Sequence, residues 1–532
     1  MSESHSGRGR FASGTVLTLF SGVMGFLSVM PLIPQGRFPS FDSTAYIFIA
    51  DGILAGRVPY VDLWENKGLP LYFLNIVGRM MTPGGYTGIW LLELGFMSLM
   101  FGCFLWTLRG FVSGAALVLP TVLLTLGIVM TSVGGNTPEF WNMALQSGGL
   151  LAAWFIIRGE GWTRRGQMAL VGFSAGMASM TKLNLLGTWV AIFMLIIGLV
   201  VAKRLAVAES LRVLGVMAAG FVVAVVLSVA PVIAWGATHE WWDQTIGFGL
   251  SFAGGVTGET RLLALLTGIS KIAFISWPLL LAFISIPIAW SVRKRPRIQT
   301  DRAWMIAFLV LWLGIEVTAS LASGMAFTHY YMPWLIPASM LIGLLWDVKR
   351  WSIPVLLIPA TAALLGVVRV LPILDAKLNL HRGFPPVVVA ERKYYKRAQK
   401  IMIEEVEART TPEDTIFIWG LDLVVFNETG RLSAGPYGHP LTTLVIPGYQ
   451  SKRMLDELVS RLEADPPKLI IDSTHIRPGW PSLWDLRTKE PIQLKEGRVM
   501  PYMHVLPDFV ERNYTLVVTR KPHVEYYVLK AE

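Results

Sequence analysis

The stretch "FPSFDSTAYIFIADGILAGRVPYVDLWENKGLPLYF", residues 38–73, places six charged side chains between two long apolar runs. These residues are Asp42, Asp51, Arg57, Asp62, Glu65 and Lys67. The apolar run before the stretch, 15–35, lacks a small-x-small cleavage pattern, so we interpret it as a retained first membrane span. The charges therefore follow a predicted membrane span directly. Charged residues in such a position are candidates for function.

Composition identifies the class of protein. The chain has 532 residues, of which 53% are hydrophobic and 15% charged, and its mean hydropathy is +0.52. These values are typical of a polytopic membrane protein that carries an added polar domain. Charged residues are sparse up to 370 and dense afterwards, which predicts a transmembrane domain over 1–370 and a soluble domain over 371–532.

The charge and cysteine content exclude several classes of function. The formal net charge is +10, but the basic residues form short clusters between apolar runs rather than a patch interleaved with aromatics. We therefore expect no nucleic-acid partner. Cys103 is the only cysteine, which excludes an intrachain disulfide and a zinc site built from cysteines.

The apolar runs predict about eleven transmembrane helices, since a span needs about 20 apolar residues. The runs after the first span lie at 87–108, 111–131, 141–157, 167–181, 184–202, 212–235, 263–290, 302–322, 330–346 and 352–370. Basic clusters in alternate loops, such as Arg164 with Arg165 and Lys203 with Arg204, predict which loops face the cytoplasm. The N-terminus is then cytoplasmic, while loop 36–86 and residues 371–532 lie outside an inner (plasma) membrane.

Two short helices are expected in loop 36–86. Asp42, Ser43 and Thr44 are N-cap types before "AYIFIADGILA", and Gly56 followed by Pro59 ends that segment. "LPLYFLNIVGRMM" also predicts a short helix, with Pro70 at a favoured first-turn position. The residues Pro83-Gly84-Gly85 end it. Both segments are too short to cross a membrane, so we expect amphipathic helices along its outer face.

The C-terminal part has the pattern of a small α/β domain. "ERKYYKRAQKIMIEEVEAR" and "SKRMLDELVSRLEA" show helical periodicity. "DTIFIW", "PKLIIDST", "YTLVVTR" and "EYYVLK" are strand-like runs. No glycine-rich phosphate-binding motif occurs there, so a nucleotide site in this domain is not supported.

Ionisable residues inside the apolar runs are candidates for function because burying them in a membrane is costly. They are Glu93, Lys182, Lys271 and Glu316, with His329 at a span entrance. The predicted topology puts all of them in the outer half of the membrane. Together with Arg261 and the loop charges they predict one polar cavity that opens outward, the alternative being isolated contacts between helices.

Three segments carry a resemblance to a known family. "GRVPYVDLWENKGLPLYFLN", preceded by an acidic residue after the first span, resembles the first-loop motif of the GT-C membrane glycosyltransferases. The similar branch contains the protein O-mannosyltransferases and lipid A aminoarabinose transferase. "SGMAFTHYYMPWLIPA" and "DTIFIWGLDLVVFNETGRLSAG" are similar to that branch's late extracytoplasmic segment and to the opening of its C-terminal domain. The family usually has an acidic pair where Asp42-Ser43 stands here, and Lys-Pro-Pro where this chain has "KGLP".

The resemblance implies an enzyme that transfers a sugar from a polyprenyl-phosphate donor to an extracytoplasmic glycan, lipid or protein. Such transfer needs a base for the acceptor hydroxyl and a cation for the departing phosphate. We expect Asp42 to be the base and Lys67 a phosphate ligand. The other expected site residues are Arg261, His329 and Tyr330 on the phosphate, and Glu65, Asp62 and Tyr46 as supporting residues, of which Glu65 is a candidate ligand for a divalent metal ion.

Two other functions stay open from the sequence. A transporter or flippase for a lipid-linked sugar is the main alternative, but such proteins place polar residues through the full membrane depth, whereas the inner halves of these runs are almost purely apolar. An inactive relative that acts as a scaffold is the other. The C-terminal domain is expected to help bind the acceptor rather than carry out chemistry.

Overall fold

The computed structural model describes most of the chain in separate segments. They are residues 4–34, 40–112, 114–132, 134–254, 257–275, 300–322, 324, 327–345, 386–441, 451–476, 480–487, 492–493, 499–500, 504–518 and 524–530. The N-terminal part of the described chain is helical, and the C-terminal part combines helices with a sheet.

The described helices of the N-terminal part are numbered here in chain order. They are α1 Ser4–Val29, α2 Phe41–Leu54, α3 Leu69–Met81, α4 Thr87–Leu108, α5 Val118–Thr131, α6 Pro138–Ile157, α7 Arg165–Thr181, α8 Gly187–Val201, α9 Val207–Ala234, α10 Thr238–Trp242, α11 Phe248–Gly254, α12 Gly258–Ile275, α13 Thr300–Leu321 and α14 Leu335–Leu345. A π-helical turn, Asp243–Gly247, joins α10 to α11, and a 3-10 segment, Thr328–Trp334, leads into α14.

Five of the described helices are long and apolar enough to cross a membrane. Their spanning segments are Gly14–Leu32, Thr87–Leu108, Pro138–Ile157, Val207–Ala234 and Thr300–Leu321. Helices α5 and α8 are apolar but shorter. The predicted polytopic helical fold is confirmed, while 352–370 and the end of 263–290 lie outside the described residues, so the count of about eleven spans stays a prediction.

Helices α7 and α9 pack closely because small residues let their backbones approach. A Cβ atom at Gly172 would lie 1.8 Å from the carbonyl oxygen of Met217, and one at Gly220 would lie 2.0 Å from that of Ala169. Neither position can hold a larger residue without separating the helices. Small residues at helix contacts are typical of membrane bundles, where close van der Waals packing replaces hydrophobic burial.

The two helices expected in loop 36–86 are confirmed as α2 and α3. Helix α2 begins one residue before the expected caps, because the Ser40 hydroxyl oxygen accepts the backbone N–H of Ser43 at 3.4 Å. Asp42 therefore lies in the first turn and is not the capping residue. Gly68 is the N-cap of α3, and Pro70 follows in its first turn, where a missing N–H costs no intrahelical bond.

Helix α2 is buried rather than exposed along the membrane face. Residues 43–50 are all buried. Phe48 packs against Phe426 of the C-terminal part, with ring centroids 5.0 Å apart, and the Asn427 side chain donates to the Thr44 carbonyl at 3.1 Å. The expectation of an interfacial surface helix is wrong for α2, because the C-terminal domain covers the side that would otherwise face water. A helix that is apolar all round is typically enclosed in this way.

The predicted C-terminal α/β domain is present. Its described elements are α15 Pro386–Arg409, β1 Thr415–Trp419, α16 Val424–Thr429, β2 Leu432–Ser433, α17 Ser451–Ala464, β3 Leu469–Asp472, β4 Ile492–Gln493, β5 Val499–Met500, α18 Val505–Asn513, β6 Tyr514–Val518 and β7 Glu525–Leu529. The main sheet has the order β2-β1-β3-β7-β6. Strand β1 is parallel to β2 and β3, and β7 is antiparallel to β3 and β6. Strands β4 and β5 form a separate antiparallel pair.

Hydrogen bonds to backbone carbonyls of this domain attach it to the segment between α2 and α3. The Trp64 N–H donates to the Pro436 carbonyl at 2.7 Å, and the Arg57 guanidinium donates to the Ser433 carbonyl at 2.7 Å. The segment after β2 thus holds the charged turn in place. This docking fixes the position of the residues that follow Trp64.

Candidate active site

Charged residues from several elements meet at the end of the bundle where α6 begins and α7 ends. The hydroxyl oxygen of Thr137 accepts the Phe140 N–H at 3.3 Å and caps α6. Because Thr137 caps α6 and Pro138 is its first residue, Glu139 lies in the first turn of this helix. Lys182 follows the last residue of α7 and reaches the same point. The turn between α2 and α3 and the segment Thr328–Trp334 complete the site.

Lys67 and Glu65 form the first group of the site. The Lys67 ammonium donates to the Asn66 side-chain oxygen and lies 3.7 Å from a Glu65 carboxylate oxygen. The other oxygen of Glu65 lies 3.1 Å from His439 Nε2. Burial raises the pKa of Glu65, but Lys67 and His439 outweigh it and lower that pKa to about 2. Glu65 is therefore a carboxylate at neutral pH.

The environment of Lys67 suits a ligand with negative charge. Its side chain is only 16% exposed, and burial lowers its pKa while Glu65 opposes that shift. An ammonium group has three N–H donors, and Asn66 takes one of them. Glu65, at 3.7 Å, is too distant for a good hydrogen bond, so Lys67 can still donate to an incoming oxygen.

Lys182 and Glu139 form the second group. Lys182 Nζ lies 2.6 Å from Glu139 Oε1 and 4.0 Å from the ring centroid of Tyr330. His329 Nε2 lies 3.9 Å from Glu139 Oε2. Within the described chain Glu139 Oε2 is buried and has no hydrogen-bond donor. This buried oxygen therefore keeps the capacity to accept one more hydrogen bond.

Asp42 lies within Coulombic reach of both groups. Its charge acts on Lys67, His329 and Tyr330, so it is close enough for Coulombic interaction with each. The same charge acts on the buried Tyr46, one turn further along α2. Within the described chain Asp42 forms no ion pair, and Ser40 performs the capping that the sequence suggested for it.

Two of the predicted intramembrane carboxylates, Glu93 and Glu316, accept hydrogen bonds from nearby side chains or backbone groups. Glu93 accepts the backbone N–H of Asn136 at 2.7 Å. Glu316 accepts from Gln146 at 2.9 Å and from the Trp312 indole at 3.0 Å. The Glu93 contact joins α4 to the segment before α6, and the Gln146 contact joins α6 to α13. That these carboxylates share one outward cavity with the loop charges stays a prediction.

The predicted site residue Asp62 contacts neither the Lys67 group nor the Lys182 group. Asp62 accepts the Val58 N–H at 2.9 Å and lies 3.7 Å from Arg461, so it shapes the turn and pairs with the C-terminal domain. Arg261 is exposed on α12, a helix that packs against Thr328–Trp334. The side chain of Lys271 lies outside the described part of the chain.

Sequence reasoning missed Glu139 and His439. Glu139 could have been found, since "TPEF" combines an N-cap, a first-turn proline and an acid before an apolar run. His439 carries no local signal, because it lies in an irregular segment and reaches Glu65 across 374 positions of sequence.

A divalent metal ion at Glu65 stays a prediction. Glu65 and His439 offer a carboxylate and an imidazole, but protein sites for zinc usually supply three or four ligands. Elsewhere the described chain offers one three-ligand group, Asp472, His475 and Glu525. Both oxygens of Asp472 already accept hydrogen bonds, which gives that carboxylate a structural role. We therefore route no step of the reaction through a metal.

A separate cavity of about 250 Å³ lies between the turn, the π-helical segment and α17. Trp64, Asp243, Tyr437, Arg453 and Glu457 are among its lining residues. It adjoins the site because Gln244, on its wall, accepts the backbone N–H of Glu65 at 3.2 Å.

Comparison with known proteins identifies the fold. No protein-family model and no curated protein sequence matches this chain. Its structure is similar to that of ArnT from Cupriavidus metallidurans bound to undecaprenyl phosphate, with 15% sequence identity, a TM-score of 0.55 and 98% of each chain covered. The apo structure of the same ArnT matches with 16% identity, a TM-score of 0.56 and the same coverage. ArnT, a lipid A aminoarabinose transferase, has the GT-C fold, so the predicted GT-C fold is confirmed over almost the whole chain.

Proposed function

We propose that this GT-C protein is a membrane glycosyltransferase that moves a sugar from a polyprenyl-phosphate donor to an extracytoplasmic glycan, lipid or protein. The observation that carries the proposal is the position of Asp42. A carboxylate without an ion-pair partner in the described chain lies within Coulombic reach of a lysine that can still donate hydrogen bonds. This combination provides a base and a phosphate ligand in one site. The ArnT structure with undecaprenyl phosphate supports the donor class by fold.

The donor phosphate is proposed to bind Lys67, with Lys182, His329 and Tyr330 on the opposite side. Lys67 donates to the phosphate oxygens, and Glu65, anchored by His439, holds the lysine in position. A compact ammonium group at the membrane interface suits a lipid phosphate. Arg261, on the helix beside Thr328–Trp334, remains a proposed additional phosphate ligand.

The proposed step is a displacement at the anomeric carbon of the donor sugar. Asp42 takes the proton of the acceptor hydroxyl while the acceptor oxygen forms a bond to that carbon. The bond from the carbon to the phosphate oxygen breaks, and its electron pair leaves with the polyprenyl phosphate. Lys67 stabilises the added negative charge. Glu139, through its ion pair with Lys182, holds that second ammonium group on the side of the phosphate opposite Lys67.

A radiolabel assay tests this function. Membranes that contain the protein are supplied with labelled candidate polyprenyl-phosphate sugars, and label is followed into glycan, lipid and protein fractions. We expect label to move from one donor into one acceptor fraction. Movement of intact donor across the bilayer without sugar transfer would instead identify a transporter.

The cavity beside the site is proposed to bind the acceptor. We expect Arg453→Ala combined with Glu457→Ala to raise the KM for acceptor roughly three- to tenfold, because one or two polar contacts are lost. The KM for donor should stay unchanged. Steady-state kinetics with each substrate varied separately measures both values.

The matched control for the cavity is Asp456→Ala, an exposed residue on the same helix that does not line it. Equal increases in both KM values, or the same increase in the control, would contradict an acceptor role. Removal of the whole domain is a poorer test, because it also removes His439 from Glu65.

The membrane orientation is proposed from the alternating basic loops. A reporter active only in the periplasm, fused after Lys377, should give a signal, as should a cytosol-active reporter fused after Arg165. A silent reporter at Lys377, or both fusion points on one side of the membrane, would contradict the predicted topology and with it the proposed face of the active site.

A further inference from the structure

A second pocket lies at the end of the bundle opposite the candidate active site. Helix α6 has Glu139 in its first turn and Arg158 just after its last residue. Its 20 residues give a length of about 30 Å, so the two ends are separated by nearly the thickness of the hydrocarbon layer. The pocket has a volume of about 670 Å³, within the range of roughly 300–1,000 Å³ typical of ligand sites.

The lining of this pocket, here called the basic pocket, is positively charged and aromatic. It contains Gly14, Trp106, Arg109, Gly110, Trp154, Phe155, Arg158, Glu160 and Arg164. Three arginines thus face a single acid. Glu160 pairs with Arg158 at 3.0 Å and with Arg164 at 3.7 Å, whereas Arg109 has no ion pair with any described residue.

Each arginine lies over an aromatic ring. The Arg109 guanidinium carbon lies 3.4 Å from the ring centroid of Trp106. The corresponding distances are 5.0 Å from Arg158 to Trp154 and 4.6 Å from Arg164 to Phe155. A guanidinium group that packs its face on a ring keeps its edge N–H groups for a ligand, and these groups match the oxygens of a phosphate.

The position of the basic pocket favours a ligand that is attached to the membrane. The indole of Trp106 is 47% exposed, and tryptophan at the end of a membrane helix is typical of the lipid headgroup region. Val16 and Leu19, on α1 just beyond Gly14, are also exposed. An acyl chain can therefore run along α1 while its headgroup enters the pocket.

We propose that the basic pocket binds the phosphate headgroup of an anionic phospholipid in the leaflet opposite the active site. Arg109 supplies the uncompensated charge, and Arg158 and Arg164 complete the phosphate contacts. This lipid is distinct from the donor substrate, which binds about 30 Å away at the other end of α6. The site holds the ends of α4 and α6 and the start of α7 together from their lipid-facing side.

The test uses the full-length protein in detergent, titrated with short-chain phosphatidylglycerol and followed by native mass spectrometry. We expect saturable binding of phosphatidylglycerol and much weaker binding of phosphatidylcholine. Arg109→Gln with Arg158→Gln should weaken phosphatidylglycerol binding roughly tenfold or more, since each basic residue near anionic lipid contributes substantially. Arg109→Lys with Arg158→Lys keeps the charge and should retain part of the affinity, which separates loss of binding from misfolding.

Arg165→Gln is the matched control, because it removes one charge beside Arg164 without touching the pocket. An equal loss of binding in this control would overturn the proposal in favour of a general surface charge that only sets topology. Inorganic phosphate is the second probe. If it displaces the lipid at similar concentrations, the site recognises free phosphate and the lipid assignment is wrong.

Discussion

Replacement of Asp42 by asparagine is expected to lower sugar transfer by a factor of roughly 10² or more, the size of a lost general base. Asparagine keeps the shape of the side chain but cannot take the proton of the acceptor hydroxyl. Because Ser40, not Asp42, caps helix α2, the change should leave the helix intact. Donor binding should persist, since Lys67 is unchanged. Transfer and donor binding are measured on the same purified, reconstituted protein.

The matched control for Asp42→Asn is Ser40→Ala. Loss of an N-cap destabilises a helix by about 0.5–2 kcal/mol without removing a base, so this variant should retain most transfer activity. A comparable loss in both variants would mean that the integrity of helix α2, not basicity, explains the effect. Near-normal transfer by a folded Asp42→Asn protein would reject Asp42 as the base.

Lys67→Ala is expected to abolish donor binding, and Lys67→Arg to recover part of it. Alanine removes the ammonium that can still donate to a phosphate oxygen, whereas arginine restores the charge with a different geometry. The alanine variant also leaves Glu65 with His439 and the backbone N–H of Asn66 as its described partners, so thermal stability must be recorded with it. Binding of labelled polyprenyl-phosphate sugar to reconstituted protein is the measurement.

Lys203→Ala provides the control for Lys67, because it removes the same charge from an exposed turn after α8. Its donor binding should equal that of the unmodified protein. If Lys67→Ala binds and turns over donor normally, Lys67 is an interfacial charge with no part in catalysis. If the control loses binding equally, the effect reflects net charge rather than a phosphate site.

Local patterns in the sequence predicted many, but not all, of the described helices and strands of this protein. Helices α2 and α3 follow from apolar segments bounded by cap residues, glycine and proline, and β1 and β3 follow from short strand-like runs. The separation of an apolar first part from a charged last part predicts a domain boundary near residue 370, which lies outside the described residues. These signals depend on neighbouring residues, which is why they are readable without coordinates.

The candidate site was only partly predictable. Lys67 and Asp42 lie in one short stretch and could be proposed together, but Glu139, which pairs with Lys182, lies outside the predicted apolar run. No local pattern predicted a hydrogen-bond partner for Glu93 or Glu316. Their partners, Asn136 and Gln146, become visible only when neighbouring helices are placed side by side.

By itself the sequence determined that the chain is a membrane protein with a charged turn between two short helices and an α/β domain, because hydrophobic periodicity and chain breakers act over a few residues. The tertiary structure alone decided that α2 is enclosed, that His439 fixes Glu65, and that Asp42 is left without an ion pair in the described chain. These features depend on contacts between segments hundreds of residues apart. Burial and Coulombic interaction depend on distance in space, which no local pattern encodes.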